Sequence, residues 1–353
     1  MLRKAAALLL VCASITMWIS CGTTSSRYLY ASVPASNEII AYREDPNSGV
    51  LTQLAGSPIS AGPAVQSLAI HPSGKFLYAA NSGEGDVSLY DISSTGGLTE
   101  VTPRTVAGTA PTLLAMDPAG TFLYVANSGS FDISVFSIDA SKGGLTQVGS
   151  AFPVGMNAIN MVLSPSGSVL YVTGSGVPGV IEAFSMNQGV PTVITGTPFF
   201  TGSDPFGLAI NSAGTFLYTG NKFDNSISMF SINSDGSLVQ LSSSPLGETY
   251  AAPVALLIDK SGKYLYVANQ GSTNLAAYTI GSDGTLALLS TSPFATGAQP
   301  SIIASESNGK YLFVGNQSSS AVQSFSLDTS SGTLTSVQSY TVAGTPTSIV
   351  LTQ

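Results

Sequence analysis

The stretch Pro72-Ser-Gly-Lys-Phe-Leu-Tyr-Ala-Ala-Asn81, followed by Val87-Ser-Leu-Tyr90, returns as Gly120-Thr-Phe-Leu-Tyr-Val-Ala-Asn127, followed by Ile133-Ser-Val-Phe136. A leucine–aromatic pair marks every recurrence: Leu29-Tyr30, Leu77-Tyr78, Leu123-Tyr124, Leu170-Tyr171, Leu217-Tyr218, Leu265-Tyr266 and Leu312-Phe313. The aromatics stand 48, 46, 47, 47, 48 and 47 residues apart. Seven units of near-constant length make the chain an array of one supersecondary unit.

Each unit reads as four strands. In the second unit these are residues 67–70, 75–80, 87–92 and 98–103, separated by His71-Pro-Ser-Gly74, a loop over 81–86 and a turn over 94–97. Runs of four to seven residues bounded by Gly, Pro, Asn and Ser suit an antiparallel meander. Segments such as Phe122-Leu-Tyr-Val-Ala126 are apolar on both alternating sets, so both faces of each sheet must be covered. Four strands in about 47 residues is the size of a β-propeller blade, which packs between two neighbours.

The ends predict how the ring closes. Residues 28–32 read as a second strand with no first strand before it, and residues 346–352 as a first strand with no second strand after it. The C-terminal strand should therefore complete the N-terminal blade and leave no open sheet edge. The expected architecture is all-β: one seven-bladed propeller domain over residues 28–353, with four antiparallel strands per blade.

These repeats resemble the YVTN type found in the seven-bladed lactonase family related to 6-phosphogluconolactonase, over about residues 28–353. The resemblance implies a lactone hydrolase with His, Arg and Glu lining the channel. The chain departs from that set. Beyond residue 26 its arginines are Arg27, Arg43 and Arg104, at a strand start and in outer strands, and Asn157 and Asn160 stand where a family histidine would be sought.

Before the repeats, Arg3 and Lys4 precede an apolar run over residues 5–19 that reads as a signal h-region. It ends in Trp18-Ile-Ser-Cys21-Gly22, which resembles a bacterial lipobox, although Trp18 stands where leucine is usual. The expectation is a signal peptide over 1–20, an acylated Cys21 and a short tether to residue 27. The protein would then be exported and anchored to membrane, periplasmic or outer-membrane associated. The alternative is an ordinary secretory peptide cut nearby, with Cys21 incidental. Cys12, Cys21 and the single tryptophan, Trp18, all lie in this segment, so the repeats carry no thiol and no disulfide.

Composition narrows the partners. The chain of 353 residues has 19 acidic against 11 basic groups, a formal charge of −8. Without Arg3 and Lys4 this becomes 9 against 19, or −10. No Lys/Arg footprint for nucleic acid exists. One histidine and no cysteine in the repeats give no basis for a metal cluster, and no cofactor is implied.

His71 occupies the turn between first and second strands, where other units carry Asp117, Ser164, Asn211, Asp259 and Glu306, so it reads as a hairpin cap. Asn233-Ser-Asp-Gly236 and Gly281-Ser-Asp-Gly284 resemble calcium loops but lack the later glutamate, and read as turns. The recurring Asn81, Asn127, Asn221, Asn269 and Asn316 read as ties between blades.

A site should break the repeat on the face bearing the blade-to-blade loops. The clearest break is Asp204 beside Pro205, where other units have Gly, Ala, Met, Gln or Thr, together with Asn221-Lys-Phe-Asp-Asn225. Candidate catalytic residues are Asp204 or Asp224 as base and Lys222 as cation. Candidate ligand contacts are Asn221, Glu182 and Asp132, with Glu84 and Asp86 nearby. Two functions fit: a lipid-anchored binding scaffold with an envelope protein or carbohydrate partner, or a lactone hydrolase with a reduced catalytic set. The scaffold is the leading expectation.

Overall fold

The computed structural model describes residues 26–353, all of whose regular elements are strands; the signal-peptide and Cys21 expectations lie outside the described residues. Seven antiparallel sheets follow one another along the chain. In the second blade the strands are Val65–Ile70, Phe76–Asn81, Asp86–Ile92 and Leu98–Val106, hydrogen-bonded in that order. Each first strand packs against the first strand of the next blade around the ring. The first strands therefore line a central channel, and the fourth strands lie at the rim.

The fourth strand differs from the sequence expectation. In five blades it is broken into two pieces, such as Leu51–Gln53 and Ile59–Ser60, both paired to the third strand Glu38–Glu44. It runs unbroken in the second blade and in the seventh, at Leu334–Thr341.

The buried apolar residues fall into seven clusters, one at each seam between blades. At one seam Tyr218, Ile227 and Met229 of the fifth blade meet Leu256, Leu265 and Tyr278 of the sixth. This explains why second strands are apolar on both alternating sets. The recurring tyrosine adds a polar tie. The hydroxyl of Tyr30 donates to the Gly96 carbonyl one blade on at 2.8 Å, and Tyr78, Tyr171, Tyr218 and Tyr266 repeat the contact with Gly143, Gly236, Gly284 and Gly332.

Closure follows the expected route. Ser348–Leu351 pairs antiparallel with Arg27–Val33, Ile349 opposite Ala31 and Leu351 opposite Leu29, and becomes the innermost strand of the first blade. The same seam carries an ion cluster. Arg27 pairs with Glu306 of the seventh blade and lies 3.9 Å from Glu44. Glu44 is buried at a position where other blades place Ile92, Ile138, Met186, Ile232 and Ile280. Burial, then the Glu306 carboxylate, pushes the Glu44 carboxyl up to about 7.

The first-to-second-strand turns carry the caps read from the sequence. Ser73 N–H donates to His71 Nδ1 at 3.1 Å, which leaves Nε2–H to donate to the Gly120 carbonyl at 3.0 Å. Asp259 likewise accepts from the backbone of Ser261, Lys263 and Tyr264. The resemblance to calcium loops dissolves into turn chemistry. Asp235 accepts from Ser237 N and Oγ, and Asp283 from Thr285 N and Oγ1, bonds that hold both carboxyls below the usual range.

Candidate functional site

The pairing Val65↔Asn81 and Ile70↔Leu77 puts the start of each first strand and the end of each second strand at the same end of the ring. The blade-to-blade connectors and the second-to-third-strand loops meet there around the channel. They enclose a cup of ≈ 580 Å³, and below it the first strands of all seven blades line a further ≈ 350 Å³.

The cup mixes amide and apolar side chains and is almost uncharged. Its rim carries the amides of Gln66, Asn157, Gln270, Gln299 and Gln317, with Gln270 Nε2 donating to Gln317 Oε1 at 3.0 Å. Lys222 is the one charged side chain among the described lining residues. Its ammonium sits 4.9 Å from the centre of the Phe206 ring, a cation–π contact. No carboxylate of the described residues lies within ion-pairing distance of it.

The three repeat-breaking charges therefore lie close in the backbone without forming a charge cluster. Asp204 holds a left-handed conformation (φ 57°); its carbonyl accepts from Lys222 N–H at 2.9 Å and its own N–H donates to Gly176 O. Asp224 Oδ2 accepts from Ser203 N–H at 2.5 Å. Both residues pin the connector over 201–204 to the loop that carries Lys222, and neither lines the cup. The connector runs so close that a Cβ on Gly202 would meet the Asn221 amide at 2.6 Å.

The structure places the three expected ligand contacts in hydrogen bonds within the blades. Asn221 is fully buried and its Nδ2 donates to Ser226 and Ser228 Oγ at 2.9 Å. Asp132 accepts from Asn127 Nδ2 at 2.8 Å. Glu182 lies on a third strand, away from the channel, and accepts from Thr197 Oγ1 at 3.1 Å. All three belong to the blades. The recurring asparagines are structural, but Asn81, Asn127, Asn221 and Asn269 bridge their own blade's second-to-third-strand hairpin rather than two blades. Glu84 and Asp86 lie beside Arg104 at the surface.

Sequence reading missed the glutamines, which are neutral and spread over several blades. It also missed Glu248, which stands where other connectors carry Ala61, Ala107, Val154, Thr201, Thr296 and Val342. Its carboxylate oxygens are shut off from water without a well-formed hydrogen bond. Burial pushes this carboxyl up to about 7, only partly offset by the Tyr278 hydroxyl beside it. Below pH 4.5 it is protonated in folded and unfolded chain alike; as pH rises to about 7 the unfolded chain loses the proton first, so stability falls across that window. Glu248→Val should therefore raise stability at pH 8 by on the order of 2–3 kcal/mol, a gain that shrinks towards pH 4.5 in denaturant titrations at the two pH values.

With this geometry in hand, comparison with known proteins matches the family described as "Lactonase, 7-bladed beta-propeller" over residues 23–162, 160–295 and 247–351. The chain belongs to that lactonase family. Among solved structures similar to this lactonase-family chain is one from Bacteroides uniformis that carries the provisional name 6-phosphogluconolactonase. It is 22% identical with TM-score 0.79, over 93% of this chain and 99% of that one. The periplasmic gluconolactonase PpgL of Pseudomonas aeruginosa is 20% identical with TM-score 0.77, over 93% and 99%. At these identities the likeness shows the fold. No curated protein matches the sequence.

Proposed function

We propose that this protein is a lactone hydrolase that opens its substrate at the channel mouth. The observation that carries the reading is Lys222: an ammonium free of any described carboxylate, held over Phe206, in a cup otherwise lined by neutral groups. Hydrolysis puts negative charge on the carbonyl oxygen as water adds. A fixed cation at that oxygen, in a cup with no competing anion among the described residues, stabilises the transition state more than the ground state. The rim amides orient the ring and the attacking water. Water adds to the acyl carbon, the ring C–O bond breaks, and the proton given up by the attacking water goes to the departing ring oxygen. Asp204 and Asp224 are tied into the connector, so the reading gives neither the role of base. Family membership supports it over the scaffold expectation. The test is lactone-dependent proton release in a pH-stat across aldonolactones and homoserine lactones; a flat trace above the spontaneous rate for every lactone sinks it.

A second reading, an envelope binding scaffold with a protein or carbohydrate partner, draws on one surface. Val177 and Phe223, on second-to-third-strand loops of the fourth and fifth blades, are 82% and 68% exposed, and Phe200, on the outer strand piece Phe199–Phe200, is 63% exposed beside the mouth. An envelope pull-down that Phe223→Ser leaves unchanged would count against it.

We further propose that the protein is exported and held by Cys21. Arg27 begins its strand at the end of the blade away from the mouth, so such a tether would leave the mouth facing away from the membrane. Cys21→Ser should move the protein from the membrane fraction to the soluble one; retention in the membrane contradicts the anchor.

A further inference from the structure

We infer that a phenolic ring binds at the seam between the fourth and fifth blades, on the face away from the mouth. The site is separate from the channel, and the inference does not depend on the lactone reading. It follows from a ring that the other seams contain and this one lacks.

The residue before each leucine–aromatic pair is itself aromatic in six blades: Tyr28, Phe76, Phe122, Phe216, Tyr264 and Tyr311. In the fourth blade it is Val169. Each of the six rings lies against a left-handed glycine in the third-to-fourth-strand turn of the next blade. At Gly332 (φ 72°) the approach is so close that a Cβ would stand 2.5 Å from the Tyr264 ring. The hydroxyls of Tyr28 and Tyr264 then donate to the carbonyls of Ser94 and Ser330 in the same turns, at 2.9 and 2.8 Å. A ring over the glycine and a hydroxyl on the carbonyl two residues earlier is thus how this fold holds a phenol.

The fourth seam keeps the receptor side of that contact. Gly236 retains the left-handed turn at φ 86°, although only Val169 and Ile194 face it. Ser234 stands two residues before it, as Ser94 stands before Gly96, and its carbonyl accepts no backbone N–H of the described residues. A second shortened side chain widens the gap. Ser164 occupies the position of His71, whose ring packs edge-on against Phe76 with centroids 5.8 Å apart. With small side chains in place of both rings, an open space of ≈ 190 Å³ remains, lined in part by Ser164, Pro165, Val169, Ile232, Ser234 and Gly236.

A cavity of about 150 Å³ is enough to take up benzene, so one ring fits here and anything attached to it must lie outside. A plain hydrocarbon ring would cover the Ser234 carbonyl and leave it without a donor, whereas a phenol supplies one. A free phenol and a tyrosine tip presented by another protein share this chemistry.

The experiment is an NMR titration of the full chain with p-cresol, toluene and N-acetyltyrosinamide, repeated on Val169→Tyr. p-Cresol should bind the unaltered protein about two- to tenfold more tightly than toluene, the effect of one added hydrogen bond. N-acetyltyrosinamide binding at least as tightly as p-cresol assigns the ring to a tyrosine tip, and weaker binding assigns it to a free phenol. Val169→Tyr supplies the missing ring, so this variant should lose p-cresol binding and melt later than the unaltered protein. No binding of p-cresol, or equal binding by Val169→Tyr, overturns the site. Toluene binding as tightly as p-cresol overturns the phenol assignment. A Val169→Tyr chain that melts earlier or fails to fold shows that the space does not take a ring.

Discussion

Lys222→Met is expected to lower kcat for lactone opening by about 10²–10³-fold, the usual effect of removing one preorganised oxyanion donor. Methionine keeps much of the length and the contact with Phe206 and removes the charge alone. The effect should therefore fall on kcat more than on KM, because the cation matters most once the carbonyl oxygen becomes an oxyanion. Lys222 is partly exposed and forms no ion pair with the described residues, so the melting temperature should barely move. Lys222→Arg should recover part of the rate. If Lys222→Met turns lactone over as fast as the unaltered protein, the oxyanion role is wrong whatever the lactone.

Deleting the last eight residues, 346–353, should have the largest effect on stability. The deletion removes Ser348–Leu351, exposes the edge of Arg27–Val33 along its ladder, and takes the buried Ile349 out of the seam cluster with Phe313 and Val322. Two or three apolar side chains at about 1.5–3 kcal/mol each approach the whole stability of a typical domain. The truncated chain should melt many degrees earlier or fail to fold, and its bare edge invites association. Thermal unfolding of both forms decides it: equal melting temperatures would mean that this strand does not close the ring.

Blade number and closure were legible because the residues that build seams recur. A second-strand tyrosine must reach a turn glycine of the next blade, and that contact fixes the aromatic spacing at 46–48 residues. The cap at His71 was legible for the same reason, since its counterparts share only the ability to bond a turn backbone. Of the residues lining the candidate cup, one was legible. Lys222 stood out because it breaks a run of neutral residues, whereas the carboxylates of Asp204 and Asp224 stood out for a different cause. Their work is local: Asp224 caps the Ser203 amide and Asp204 occupies a left-handed corner. Charge alone did not separate those roles. The rim glutamines had no signature because they are neutral and enter from several blades, at positions whose counterparts vary in type. Glu44 and Glu248 were visible in principle, as acids at repeat positions otherwise filled mainly by apolar side chains.

On this mechanism the channel mouth holds a lactone carbonyl against Lys222. A crystal structure of the protein with a hydrolysis-resistant lactam analogue tests it most directly. The account predicts the lactam in the cup, its carbonyl oxygen about 3 Å from Lys222 Nζ. A lactam bound elsewhere, or bound in the cup with its carbonyl turned away from Lys222, would contradict it.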